Sequence, residues 1–160
     1  MTLSIRSSFT ACAIALATAA LPASALTAQQ SVEREVVVQN PDGTQTVVRE
    51  PASEVAPGDQ VVYRVDFTND TSEAASDIVL TQPVPAEVLY VEGSADTPGM
   101  VVSVSVDGGE SFGPRGAVTV VRDGEPVRAD ASDITHIRWT LVGELAPSET
   151  GAIAYKGVLK

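Results

Sequence analysis

Val61, Tyr63, Val65 and Phe67 alternate along the chain with Val62, Arg64, Asp66 and Thr68. A period of two predicts a strand whose first set faces a core and whose second set faces water. Pro57-Gly58-Asp59 supplies the turn that opens it. Similar runs recur. Val32–Gln39 and Gln45–Glu50 flank Asn40-Pro41-Asp42-Gly43, which suits a type I turn closed by a left-handed Gly, so the two runs are expected to form a hairpin. Further strands are predicted over Asp77–Gln82, Val88–Val91, Val101–Val106 and Ala117–Arg122, with turns at Asp107-Gly108-Gly109 and Asp123-Gly124. Ile134–Val142 should turn Ile137, Trp139 and Leu141 inward, and Ala152–Leu159 should do the same with Ile153, Tyr155 and Leu159. No stretch after residue 25 keeps an apolar period of 3.6 with caps. The expectation is an all-β antiparallel sandwich of about seven to nine strands, with an up-and-down barrel as the alternative closure.

The first residues break this pattern. Arg6 is the only charge before Glu33, Phe9–Leu21 is a short run rich in Ala, Ile and Leu, and Ala23-Ser24-Ala25 offers an Ala-x-Ala site. Those three features make a secretion signal over residues 1–25, since a membrane span needs roughly 20 apolar residues. Cleavage is expected after Ala25, with Ala28 second. Cys12 stands at the front of the apolar run, where a lipid-anchoring Cys would have to end it. The protein is therefore expected to be exported, to the periplasm, outer surface or medium of a bacterium, with no membrane insertion after cleavage.

Removing 25 of 160 residues leaves 135, enough for one domain spanning residues 26–160, with the hairpin at 32–50. The single Cys leaves with the leader, so no disulfide or thiolate metal site supports the fold. Loss of Arg6 leaves nine cations against 21 acids, a net charge of −12. That charge repels polyanions, which argues against nucleic acid and bare anionic lipid as partners.

Pro57-Gly58-Asp59-Gln60-Val61-Val62-Tyr63, closed by Thr68-Asn69, resembles the bacterial conserved repeat domain, the family called domain of unknown function eleven. Pro83-Val84-Pro85 and Leu89-Tyr90-Val91-Glu92-Gly93-Ser94 are similar to its proline-bearing strand and the segment after it. Ser105-Val106-Asp107-Gly108-Gly109, Thr135-His136-Ile137-Arg138-Trp139 and Gly143-Glu144-Leu145-Ala146-Pro147 resemble a secreted single-domain branch. Pro147-Ser148-Glu149 departs from the family's usual Pro-Gly-Glu. The resemblance runs from about Val32 to Lys160. It implies an immunoglobulin-like sandwich on an envelope or surface protein and brings no catalytic residue with it.

The residues give little chemistry of their own. His136 is the only imidazole, placed by alternation on an outer face with Arg138 and Thr140. A Ser-His-Asp system needs a carboxylate on one side of the His and a hydroxyl on the other, and no Gly-x-Ser-x-Gly elbow is present. One His without Cys is also a poor transition-metal set. Asp66, Asn69, Asp70, Glu73 and Asp77 gather around one loop, and calcium is the cation such oxygens suit, although their spacing fits no Asp-x-Asp-x-Asp-Gly loop. Asn69-Asp70-Thr71 fits a glycosylation acceptor and reads here as a turn. Lys156, on the outward face with Ala152 and Ala154, argues against a buried Lys-Asn isopeptide staple.

No cofactor and no enzyme activity are expected. The expected function is an exported, non-catalytic structural or adhesive module with protein partners. Alternatives are a subunit of a strand-exchanging assembly through Val36-Val37-Val38, self-association included, or a calcium-dependent or carbohydrate-binding module. Sugar binding is the weaker of these, because Tyr63, Phe67, Trp139 and Tyr155 all fall on core faces. Trp139→Ala should cost about 3–5 kcal/mol of stability in chemical unfolding, as other large-to-small core changes do; an unchanged unfolding midpoint would put Trp139 outside the core.

Overall fold

The computed structural model describes Leu26–Lys160; the expected leader and its cleavage site at Ala25 lie outside the described residues. In chain order the strands are β1 (Leu26–Gln39), β2 (Gln45–Pro51), β3 (Gln60–Asn69), β4 (Ala75–Ser76), β5 (Val79–Pro83), β6 (Val88–Tyr90), β7 (Met100–Ser105), β8 (Thr119–Arg122), β9 (Glu125–Arg128), β10 (His136–Leu141), β11 (Glu144–Leu145) and β12 (Thr150–Leu159). A five-stranded sheet, β2-β1-β3-β12-β6, packs against a three-stranded sheet, β5-β10-β7, and every pairing is antiparallel. Among the described residues no sheet closes on itself, so the fold is an all-β sandwich and not a barrel.

Each expected strand is present with its ends shifted by a few residues. Three additions were outside the sequence reading. β4 and β11 are two residues each and pair only with one another, too short for alternation to register. β9 carries a single aliphatic side chain, Val127, and pairs with β8 as a separate hairpin. Its turn residues Asp123 and Gly124 have φ of 53° and 84°, the mirror-image turn that suits strand twist.

The core lies between the two sheets. From β3 and β12 it takes Val65, Phe67, Ile153 and Tyr155; from β10 it takes Ile137 and Trp139. Tyr63, Val102 and Leu141 pack against it from its margin. Tyr155 links the layers: its ring stacks on Tyr63 at 4.9 Å and lies 6.4 Å from Trp139, and its hydroxyl donates to Pro83 O at 2.7 Å. The Trp139 indole N–H donates to Ala95 O at 2.8 Å, so neither large polar ring atom is stranded in the core.

Two glycines of β12 shape that core. A Cβ on Gly151 would stand 2.2 Å from Phe67 Cζ, and one on Gly157 2.2 Å from Val88 Cγ1. Each leaves room for a larger neighbour on the inward face, as glycine within a strand commonly does.

One sequence expectation is corrected. Val62, placed toward water by alternation, is 1 % exposed. Its register neighbours on the outer face are Glu33 of β1 and Lys156 of β12. Lys156 Nζ reaches Glu35 Oε2 at 2.7 Å, which lays a long aliphatic stem across this part of the sheet.

β1 is shared between two partners. Leu26–Arg34 pair with β3, whereas Glu33–Gln39 pair with β2, so the hairpin runs on past the start of β3 as an arm. Its turn is the expected one, with Gly43 N–H donating to Asn40 O at 3.0 Å and Gly43 at φ 84°.

Gly151→Ala and Gly157→Ala should each cost about 1–3 kcal/mol through overpacking, measurable as a lower denaturation midpoint. Tyr155→Phe should cost about 1–2 kcal/mol at neutral pH by leaving Pro83 O without its donor. Burial, with Tyr63 beside it, pushes the Tyr155 phenol above its ordinary value of 10. The stability this represents is whole below pH 10; above it the unfolded chain loses a proton that the folded chain keeps, so stability falls. Tyr155→Phe should therefore flatten the alkaline limb of the stability–pH curve.

Candidate interaction surface

The structure brings Ser105, Asp107 and His136 to one corner, but their hydrogen bonds do not form a catalytic relay. Ser105 is buried at the end of β7, where its register partner is His136. Its hydroxyl donates to Asp107 Oδ1 at 2.7 Å and accepts from Gly109 N–H at 2.9 Å. Asp107 also accepts from Ser111 N–H at 3.0 Å. Those hydroxyl and amide donors hold its carboxyl well below the usual carboxylate range. His136 Nδ1 lies 3.2 Å from Thr135 Oγ1. A relay needs the His between hydroxyl and acid. Here the hydroxyl and the acid bond to each other, and what they build is the Asp107-Gly108-Gly109 turn.

The acidic loop is likewise built around a structural residue. Asn69 is buried, and its Nδ2 donates to Glu73 O at 2.8 Å, Leu145 O at 2.9 Å and Ala146 O at 3.2 Å. Its Oδ1 accepts from the amide and hydroxyl of Thr71 at 3.1 and 2.7 Å. An amide nitrogen so occupied is no acceptor for a glycan, in line with the turn reading. Of the other oxygens proposed for calcium, Asp66 is paired with Arg64, Asp70 accepts from Thr27 Oγ1, and Glu73 contributes its backbone carbonyl. Asp77, at φ 56°, lines a cavity of about 280 Å³ with Leu26, Asn69 and Ile78. Among the described residues no group of three or more His, Cys, Asp or Glu stands close enough to hold a metal ion.

The loop also receives the turn before β12. Asn69 N–H donates to Glu149 O at 3.0 Å, and Ser148 N–H to Asn69 O at 2.8 Å. In Ala146-Pro147-Ser148-Glu149, Ser148 has φ 62° and Glu149 Oε2 accepts Ala146 N–H at 2.7 Å. Ala56-Pro57-Gly58-Asp59, before β3, repeats this design with Gly58 at φ 95° and Asp59 Oδ2 accepting Ala56 N–H at 2.8 Å. Both are Pro-led turns that ask for glycine at the third position. Ser148 thus keeps the turn but takes the left-handed position where backbone strain falls.

The most exposed valines gather in two places, apart from Val121, which stands alone on the β8–β9 hairpin. On the outer face of the three-stranded sheet, Val79, Thr140 and Val101 form one cross-strand row, with both valines and the nearby Val142 exposed. Next to that row Arg138 stacks over the Phe112 ring, its Cζ 3.5 Å from the centroid. His136 lies two residues further along this face, as alternation indicated. The second place is the hairpin arm, where Val37 and Val47 face each other at 58 % and 59 % exposure. Sequence reasoning missed the first place, because Val79 and Val101 belong to different strands and meet only through register.

Comparison with protein-family models, curated proteins and solved structures gives no match to this chain.

Asn69→Ala should destabilise by about 3 kcal/mol, since it strands several buried partners at once. Ser148→Gly should raise stability by up to about 1 kcal/mol by relieving the left-handed backbone. Urea denaturation of both variants tests the pair, and a silent Asn69→Ala would mean that its side-chain bonds do not hold the loop to Leu145 and Ala146.

Proposed function

We propose that the chain is an exported, non-catalytic envelope or surface module that works through protein contacts, on an immunoglobulin-like sandwich of the conserved-repeat kind. The observation that carries this reading is the outer face of the three-stranded sheet. There Val79, Val101 and Val142 are exposed together beside the Arg138–Phe112 stack. Apolar side chains next to an aromatic and a fixed guanidinium are the composition of protein-binding patches. The groups suited to catalysis are used instead to hold turns, as Ser105 and Asp107 are.

On this reading the leader is cut after Ala25. That cut keeps every described residue of β1, whereas cleavage after Ala28 would remove Leu26, Thr27 and Ala28, which pair with Asn69, Thr68 and Phe67. A sugar-binding face has less support, because Phe67, Tyr90, Trp139 and Tyr155 are buried, Tyr63 is half-buried against Tyr155, and Phe112 lies under Arg138. Strand donation by Val36-Val37-Val38 has less support as well, since these residues pair with Val48, Val47 and Thr46 of their own hairpin.

Protein of residues 26–160 should be retained on envelope protein from its host, and Val101→Glu should weaken retention at least tenfold, roughly the loss expected when a charge is forced into an apolar contact. Thermal unfolding of that variant should match the parent. A hydrolytic turnover of the purified protein that disappears in His136→Ala would replace this reading with an enzyme.

A further inference from the structure

The hydrogen bonds that close the arm also determine which way its outer strand faces. Asn40 N–H donates to Thr44 O at 2.8 Å, and Ala52 N–H to Val32 O at 2.9 Å, at the two ends of the β1–β2 ladder. Antiparallel ladders alternate bonded with non-bonded pairs. Even-numbered residues of β2 therefore turn their N–H and C=O toward β1, and Gln45, Val47 and Arg49 turn theirs outward. β2 is the outermost strand of its sheet, and among the described residues no strand other than β1 pairs with it. Pro51 has no N–H and ends the row.

We propose that this edge is a self-association site and that its occupant is a second copy of the chain, docked antiparallel about a two-fold axis midway between Val47 and its copy. Such an axis stands normal to the sheet, so each residue meets one from the same face. Centring on Arg49 or Glu50 would oppose like charges across the axis. Centring on Val48 sets Gln45 against Pro51, which has no donor. Centring on Thr46 sets Arg49 against Gly43 in the turn. On Val47, every outward N–H and C=O finds a partner: Val47 with its copy, and Gln45 with Arg49 in both directions. The same register extends the exposed pair Val37 and Val47 into a continuous row with its symmetry mate.

Charge favours the same place. The chain carries a net charge of −11, yet Asp42 is the only charged residue between Val36 and Val48. At the base of the arm, Arg34 pairs with Glu50 and Arg49 with Glu35. A second acidic copy meets least repulsion here. The other edges are guarded: Gly113 bonds Val104 of β7, β5 ends at Pro83, and β6 is three residues long.

This inference rests on the protein-contact reading and names one partner for it. Sedimentation of residues 26–160, from dilute to near-millimolar solution, should show mass doubling with concentration. Val47→Pro removes the central outward donor, which the hairpin itself does not use, and should leave a monomer at all concentrations with parental dichroism and unfolding. Val47→Lys, which keeps the hairpin's own bonds and opposes two ammonium groups on the axis, should do the same and decides the matter if the proline disturbs the arm. A parent that stays monomeric, or two variants that associate like the parent, would overturn the proposal. Val101→Glu should leave self-association unchanged, so failure at this edge and failure at the outer face read separately; association lost in Val101→Glu would also overturn it.

Discussion

Tyr155 ties the two layers of this sandwich together. Its ring is part of an aromatic group with Tyr63, Tyr90 and Trp139, and its hydroxyl reaches through the core to the backbone of Pro83 on the opposite sheet. With no disulfide available after residue 25, the spacing and register of the sheets depend on contacts of this kind. The apolar ring supplies burial, and the single polar atom fixes where along β5 the other sheet must lie. Glycine at 151 and 157 on the same strand serves the same end, since both let neighbouring side chains close over β12 without a steric layer between.

Much of this was legible from period-two alternation. The strands carrying the core, β3, β10 and β12, show it plainly because one face of each is buried and the other is wet. Legibility failed where that condition failed. Val62 is covered by neighbours from β1 and β12, a relation that depends on strand order and not on β3 itself. β4, β9 and β11 are too short or too poor in apolar residues to show a period. The acidic loop misled for another reason. Asn69 was grouped by composition with its charged neighbours, whereas its position at the end of a buried strand makes it a clamp between segments 76 and 77 residues apart in the chain.

The two Pro-led turns show a regularity that no single segment reveals. The turn before β3 receives the end of β12, through Gly58 N–H to Leu159 O and Leu159 N–H to Asp59 O. The turn before β12 receives the end of β3, through Asn69 N–H to Glu149 O and Ser148 N–H to Asn69 O. The central pair of strands is thus closed at both ends by matching devices, each with an acid three residues after an alanine whose N–H it accepts. Surface chemistry is absent from these devices because their polar groups are already satisfied. The open valines have no such duty.

The strand order has a mechanical consequence. β1 and β12 flank β3 and both run antiparallel to it, so they point the same way. Leu26 lies level with Asn69 at one end of the sheet, and Leu159 is bonded to Gly58 and Asp59 at the other. A tension applied between those two residues pulls along the strands and shears both ladders at once. Every hydrogen bond in each ladder then bears load together, instead of parting one after another as in an unzipped hairpin. The arm lies beyond the part of β1 that pairs with β3 and outside this line of force.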